Sequence, residues 1–271
     1  METSLERVAE LERANYAAMV ASAQVTPGLE VVLRDDVILT SNASLPSHDS
    51  NHACLLRTTV HGADRLISEV EGFFQGQGLP ATVYVSPGCT PGDMAERLQE
   101  RGFHKEAEEE AWMVLDNLSD FEMPSPYPGV TVKVVTPRDI DPFSEVFMRA
   151  FNLPGDFAPF MAQLLEPSVG LSSVRHYLAL NHKDEPIGTC SLLFAGGFGV
   201  LGSAGVLREH RGSGAATTLA VRAATDARAR GVDTLMLQTA ADTWLERFLR
   251  TSGFKRAFTR SCYILDNASS G

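Results

Sequence analysis

The second half of the chain switches between two hydrophobic periods, and each switch marks an element. Val130 to Val135 alternates apolar and polar residues and predicts a half-buried strand. After Pro137-Arg138-Asp139 the period lengthens. Ile140, Phe143, Val146, Phe147 and Ala150 then share one face of a predicted helix. Asn152-Leu-Pro-Gly-Asp156 reads as a loop, and Pro159 to Leu165 as a short helix. Tyr177 to Leu180 and Ile187 to Phe194 flank the turn Lys183-Asp184-Glu185-Pro186 and predict a hairpin. Val200 to Val206 is a further strand. Thr217 to Arg230 predicts a helix whose Leu219, Ala220, Ala223 and Ala227 allow close packing on a sheet. A strand from Thr234 to Thr239, a helix with Trp244 and Phe248 as core residues, and a strand from Ser261 to Leu265 complete the pattern.

The same pattern occurs earlier in the chain. Glu96-Arg97-Leu98-Gln99-Glu100-Arg101-Gly102-Phe103 echoes Glu246 to Phe254, which also ends in Gly-Phe. Met113-Val114-Leu115-Asp116-Asn117 echoes Tyr263 to Asn267, and Gly78 to Val85 parallels Gly231 to Gln238. In both halves a helix ends at glycine, the residue that accepts a left-handed cap. Two tandem copies of one α/β unit are expected, joined by Glu122-Met-Pro-Ser-Pro-Tyr-Pro-Gly129, a linker with little to bury. The expected domains are residues 1–124 and 125–271. The acidic run Glu106 to Glu110, broken by Ala107, reads as a solvated edge or turn between strands.

Arg211-Gly212-Ser213-Gly214-Ala215-Ala216 stands between a strand and a helix. Glycines let backbone approach a ligand closely, and the first N–H groups of a helix lack intrahelical partners. With the helix dipole and Arg211 these features make an anion site. No Lys-Ser/Thr pair follows, so the stretch is not a P-loop. Thr217 stands where the third glycine of a dinucleotide fingerprint belongs.

The remaining pattern, R-x-x-G-x-A, resembles the acetyl-CoA pyrophosphate loop of the GCN5-related N-acetyltransferases (GNAT). Phe248-Leu-Arg-Thr-Ser-Gly-Phe254 is similar to a later segment of that family. The resemblance covers residues 129–266. It implies two tandem GNAT-like acyl-CoA N-acyltransferase domains, each with a mixed, mainly antiparallel sheet flanked by helices, the N-terminal copy being degenerate. It also implies direct transfer of an acetyl group from acetyl-CoA, as co-substrate, to a primary amine of a small molecule or peptide. The coenzyme residues implied are Gly205, Val206, Leu207, Arg208, Arg211, Gly212, Ser213, Gly214, Ala215, Ala216 and Thr217. A backbone N–H near Val206 would meet the thioester carbonyl.

The family's proton-donating tyrosine is replaced by Leu249. Nearby hydroxyls, Thr243, Thr251, Ser252 and Tyr263, read as structural. Glu209 reads as a solvated acid, Asp156 as a turn residue on the acceptor side, and His176 as a lone histidine. No catalytic residue is therefore assigned. A non-catalytic acyl-CoA-binding sensor or regulatory protein is the alternative, and O-acylation or a longer acyl donor a third reading. In the first copy the corresponding loop falls at Thr58 to Asp64. It has one glycine, no arginine and an acid that repels phosphate, so coenzyme binding is expected to be lost there.

Bulk properties narrow the classes further. Hydrophobic residues at 44% and charged residues at 21% fit a globular protein. A net charge of −11 argues against nucleic acid and is compatible with a cationic amine. No apolar run approaches a membrane span, and no signal-peptide pattern opens the chain. Cys54, Cys89, Cys190 and Cys262 are far apart and show no metal-ligand spacing. A cytoplasmic protein with reduced thiols and no metal is expected, and a homodimer remains open.

Overall fold

The computed structural model describes residues 3–45 and 47–266. Met1, Glu2, Pro46 and 267–271, including the Asn267 of the repeat, lie outside the described residues. In chain order the elements are α1 (Leu5–Ala23), β1 (Glu30–Leu33), β2 (Ile38–Ser41), β3 (His52–Cys54), α2 (Ala63–Gln75), β4 (Ala81–Val85), α3 (Met94–Glu100) and β5 (His104–Leu115). They continue with β6 (Thr131–Val134), α4 (Ile140–Ala150), α5 (Ala158–Leu165), β7 (Val174–Leu180), β8 (Pro186–Ala195), β9 (Phe198–Val206), α6 (Ala215–Arg228), β10 (Thr234–Ala240), α7 (Trp244–Thr251) and β11 (Lys255–Leu265).

The chain forms two compact units. One comprises Met1–Ala23, Gly28–Val114 and Gln238–Gly271, the other Gln24–Pro27 and Leu115–Leu237. This partition differs from a single cut at residue 124. The reason lies in the last strand: β11 pairs antiparallel with β4 on one edge and β5 on the other. The first unit's sheet runs β1-β2-β3-β4-β11-β5, and the second unit's β10-β9-β8-β7-β6. Each is mixed and mainly antiparallel, with one parallel pair, β3 with β4 and β10 with β9.

The repeat is visible in backbone angles. Gly78 after α2 and Gly231 after α6 have φ of 72° and 74°, and Gly102 after α3 and Gly253 after α7 have 91° and 93°. Side chains at these positions would be strained, which fixes where each helix turns into its strand. In the first unit Leu66, Ile67, Val70 and Phe74 of α2 and Leu98 of α3 bury against Val83 and Tyr263. In the second, Phe143 of α4 and Leu178 of β7 share a core.

Several local expectations change. Glu106 to Glu110 lies inside β5, not in a turn, because Lys105 pairs with Glu109 and Arg260 with Glu110. The last strand starts at Lys255 rather than Ser261. Trp244 and Phe248 are 61% and 38% exposed rather than core, since α7 turns Leu249 and Glu246 inward. On α6 the buried face carries Ala224, while Ala220 is exposed. The chain around the expected free linker is fastened to α6: Arg228 donates to the carbonyls of Leu118 and Phe121.

A buried polar cluster ties α1 and β11 into the first unit. The Arg260 guanidinium donates to Glu110 Oε1 at 2.7 Å and to the Tyr16 hydroxyl at 2.9 Å. It also lies over the rings of Tyr84, at 4.0 Å, and Trp112, at 5.1 Å. Glu12, fully buried, accepts from Ser86 Oγ at 2.7 Å. Its other oxygen has no hydrogen-bond partner among the described residues and lies 3.8 Å from Arg260. Burial pushes the Glu12 carboxyl up to about 7, against the pull of Arg260.

Removing one member of a buried charge pair leaves the other uncompensated. Arg260→Ala is therefore expected to cost about 3–5 kcal/mol in denaturant unfolding. The raised folded-state value means that the fold prefers protonated Glu12. Stability from this group is full below its usual value of 4.5 and is lost as pH rises through about 7. Melting curves from pH 5 to 8 are expected to show a steeper fall for wild type than for Glu12→Gln.

Candidate active site

The parallel ladder between β9 and β10 is short. It pairs Phe198, Gly199 and Val200 with Thr234, Leu235 and Met236, and runs no further. The edge of β9 from Leu201 to Val206 thus loses its β10 partner. On its other edge β9 stays paired to β8, with a register shift between Thr189 and Ser191. The extra residue sits at Ser203, whose φ is +49°, and Thr189 Oγ1 donates to the Ser203 carbonyl at 2.8 Å. A bulge of this kind bends a strand and re-aims its groups.

Val206 is the residue that the bend re-aims. Leu207 N–H donates to the Ile187 carbonyl at 2.9 Å. Antiparallel ladders alternate bonded and non-bonded pairs, so Val206, opposite Gly188, turns its N–H toward the opposite edge. Gly205 must be glycine for packing. A Cβ there would stand 2.8 Å from Ala150 Cβ and 2.9 Å from the Phe151 ring, which brings the end of α4 against β9. Leu207 itself is 3% exposed and belongs to the core.

The anion site follows directly. A 3-10 turn, Arg208–His210, leads to Arg211, and Gly212 and Gly214 adopt φ of 85° and 83° before α6 begins. The N–H groups of Arg211 and Ser213 are engaged by the carbonyls of Arg208 and His210. Thr218 N–H, at 3.0 Å from the Gly214 carbonyl, makes the first helical bond. The N–H groups of Gly212, Gly214, Ala215, Ala216 and Thr217 have no hydrogen-bond partner among the described residues, and α6 has no side-chain cap. Orphan amides at the start of a fourteen-residue helix present a positive end to an anion. Arg208 and Arg211 are exposed beside them, and Ala215 is buried, so its side chain serves the core and its amide the site. These groups fit a pyrophosphate.

Proton-handling groups are scarce. Leu249 is 8% exposed and inert. Thr243 caps α7, and the hydroxyls of Thr251 and Ser252 donate to the Phe248 carbonyl. Tyr263 is in the first unit's core. His176 lies between Ser168 and Ser191, at 2.8 and 2.7 Å, and burial pushes its imidazole down to about 4. It is a neutral structural histidine. Glu209 pairs with Arg149, and Asp156 is exposed in a short turn before α5. The pattern of the sequence missed two residues at the site. Phe151 was invisible because it lies past the periodic part of α4. Tyr127 was invisible because it lies in a segment read as linker.

The corresponding place in the first unit is built differently. A short 3-10 turn, Val60–Gly62, precedes α2, with Thr59 accepting from Gly62 N–H. Beyond the β3–β4 ladder the two chains are stitched together. Thr58 N–H donates to the Thr90 carbonyl at 3.0 Å, and Thr90 N–H to the Leu56 carbonyl at 2.8 Å. The groups that β9 leaves unpaired are bonded here.

Comparison with known proteins bears on the fold. Residues 141–254 match the model of the acetyltransferase (GNAT) family. No curated protein matches the chain in sequence. The fold resembles a GCN5-related N-acetyltransferase from Kribbella flavida, at TM-score 0.67 and 17% identity, over 94% of this chain and 97% of that one. It also resembles a tandem GNAT protein from the clavulanic acid biosynthesis pathway, at TM-score 0.66 and 17% identity, over 94% and 89%. A GCN5-related N-acetyltransferase from Sphaerobacter thermophilus matches at TM-score 0.59 and 19% identity, over 93% and 90%. At these identities the likeness is one of fold.

Charge-assisted hydrogen bonds contribute about 1.5–3 kcal/mol each. Arg211→Ala is expected to weaken coenzyme A binding by about tenfold to a hundredfold in calorimetric titration. Gly214→Glu, which adds both a Cβ at positive φ and a negative charge, is expected to abolish binding.

Proposed function

We propose that this chain, whose residues 141–254 form a GNAT-family domain, is an acetyl-CoA-dependent N-acetyltransferase acting on a primary amine. The observation that carries the reading is the conjunction of the parted β9–β10 ladder with the unpaired amides at the start of α6. The amides of Gly212 and Gly214 to Thr217, with Arg208 and Arg211, would hold the pyrophosphate. The open edge of β9 offers backbone donors and acceptors to an extended arm, as an unpaired strand edge does. Bound acetyl-CoA supplies an acetyl group activated as a thioester.

The chain's own contribution is binding, orientation and electrostatics. Val206 N–H, turned to the open edge, would donate to the carbonyl oxygen on which charge develops. Holding the amine nitrogen against the carbonyl carbon makes the reaction effectively unimolecular. In the net transfer a C–N bond forms and the C–S bond breaks. The amine loses one proton and the departing sulfur gains one. Leu249 donates none, and a thiol's usual value of about 8.5 lets solvent supply it.

The test is release of free coenzyme A thiol from acetyl-CoA over a panel of small amines and peptide N-termini. Amine-dependent release that Gly214→Glu loses is expected. Tight coenzyme binding without turnover on any amine would instead favour a non-catalytic acyl-CoA sensor, the reading that buried Leu249 supports. Parallel assays with propionyl- and longer acyl-CoA define the donor.

A further inference from the structure

The segment between the two repeats runs along α6 toward the anion site. Arg228, near the C-terminal end of α6, bonds the carbonyls of Leu118 and Phe121. Thr225 Oγ1 meets Met123 Sδ at 3.5 Å one turn earlier. Near the helix start, Tyr127 N–H donates to Thr218 Oγ1 at 3.1 Å, and that hydroxyl donates to the Gly214 carbonyl at 3.0 Å. Arg222 then reaches the carbonyl of Val132 in β6. All of these residues belong to the second unit.

The Tyr127 side chain ends this strap against Gly214. A Cβ built on Gly214 would stand 2.0 Å from Tyr127 Cγ and 2.5 Å from its Cβ. The ring therefore occupies the space that any side chain at 214 would need. Yet Tyr127 is 50% exposed, so hydrophobic burial alone does not account for its place. Its backbone, through Thr218, holds the Gly214 carbonyl, and its ring fills the place beside Gly214 where a side chain would stand. Together they fix the one left-handed residue on which the direction of the next three amides depends.

We propose that Tyr127 is a coenzyme-positioning residue. It clamps Gly214 in the left-handed conformation, so that the amides of Gly214 to Thr217 converge on the pyrophosphate before the coenzyme arrives. This rests on the coenzyme site proposed above. A preorganised turn binds more tightly because less ordering remains to be done on binding. The clamp acts on coenzyme affinity and not on the reacting atoms, so it separates KM from kcat.

The experiment compares wild type, Tyr127→Ala, Tyr127→Phe and Thr218→Val in the full chain. Coenzyme A titration, acetyl-CoA KM, kcat and melting temperature are measured for each. Tyr127→Ala is expected to raise the Kd for coenzyme A and the KM by about tenfold, with kcat within about twofold. Tyr127→Phe keeps the ring and is expected to match wild type. Thr218→Val removes only the hydroxyl bridge and is expected to shift affinity in the same direction by about threefold, which tests the clamp even if Tyr127→Ala fails to fold. Unchanged or tighter coenzyme binding in Tyr127→Ala overturns the clamp, tighter binding meaning that the ring obstructs the site. A wild-type protein that binds no coenzyme A overturns the coenzyme site itself, and the clamp with it.

Discussion

The candidate site depends on one constraint in the second unit: the parallel ladder between β9 and β10 stops at Val200 and Met236. A parallel pair that ran its full length would leave no backbone free at this edge. Beyond that point β9 carries a bulge at Ser203 in its pairing with β8, turns Val206 N–H to the open side and delivers the chain into the turn before α6. The glycines of this region then have separate tasks. Gly199 and Gly205 let Leu235, Ala150 and Phe151 approach the strand, and Gly212 and Gly214 supply the left-handed turn.

The first unit shows what the same plan becomes without that constraint. Its parallel pair, β3 with β4, continues into hydrogen bonds among Leu56, Thr58 and Thr90. The turn before α2 has no arginine, and Asp64 stands in the first helical turn. This unit instead builds a buried polar cluster around Arg260, on the last strand of the chain. Buried charges are costly unless paired, so the cluster specifies where β11 belongs, between β4 and β5. Among the described residues no group of three His, Cys, Asp or Glu side chains could hold a metal ion, and no helix is long and apolar enough to cross a membrane.

The periodic elements of the second repeat were legible because each alternates against one buried face, and α4, β7, β8 and β9 fall where the pattern puts them. The paired glycines were legible because only glycine relieves strain at φ near 72–93°. Other features were hidden for physical reasons. β5 carries an acidic run that mimics a turn, and its partner, Arg260, is remote in sequence. The placement of β11 depends on long-range pairing, which local periodicity does not report. Trp244 and Phe248 obey helical spacing yet face outward, since spacing defines a face and not which face is buried. The anion loop was legible as a motif, but not which of its amides are engaged within the turn. Tyr127 was hidden by composition, because a proline-rich segment reads as spacer even where a backbone N–H within it bonds Thr218 on α6.

Amide hydrogen exchange on the full chain, with and without coenzyme A, reads individual N–H groups in both repeats at once and so tests the coenzyme site at β9 and α6. Slowed exchange on binding is expected at Val206, Gly212 and Gly214 to Thr217, with no change from Thr58 to Asp64. Protection confined to Thr58 to Asp64, or none at the start of α6 in the presence of saturating coenzyme A, would contradict it.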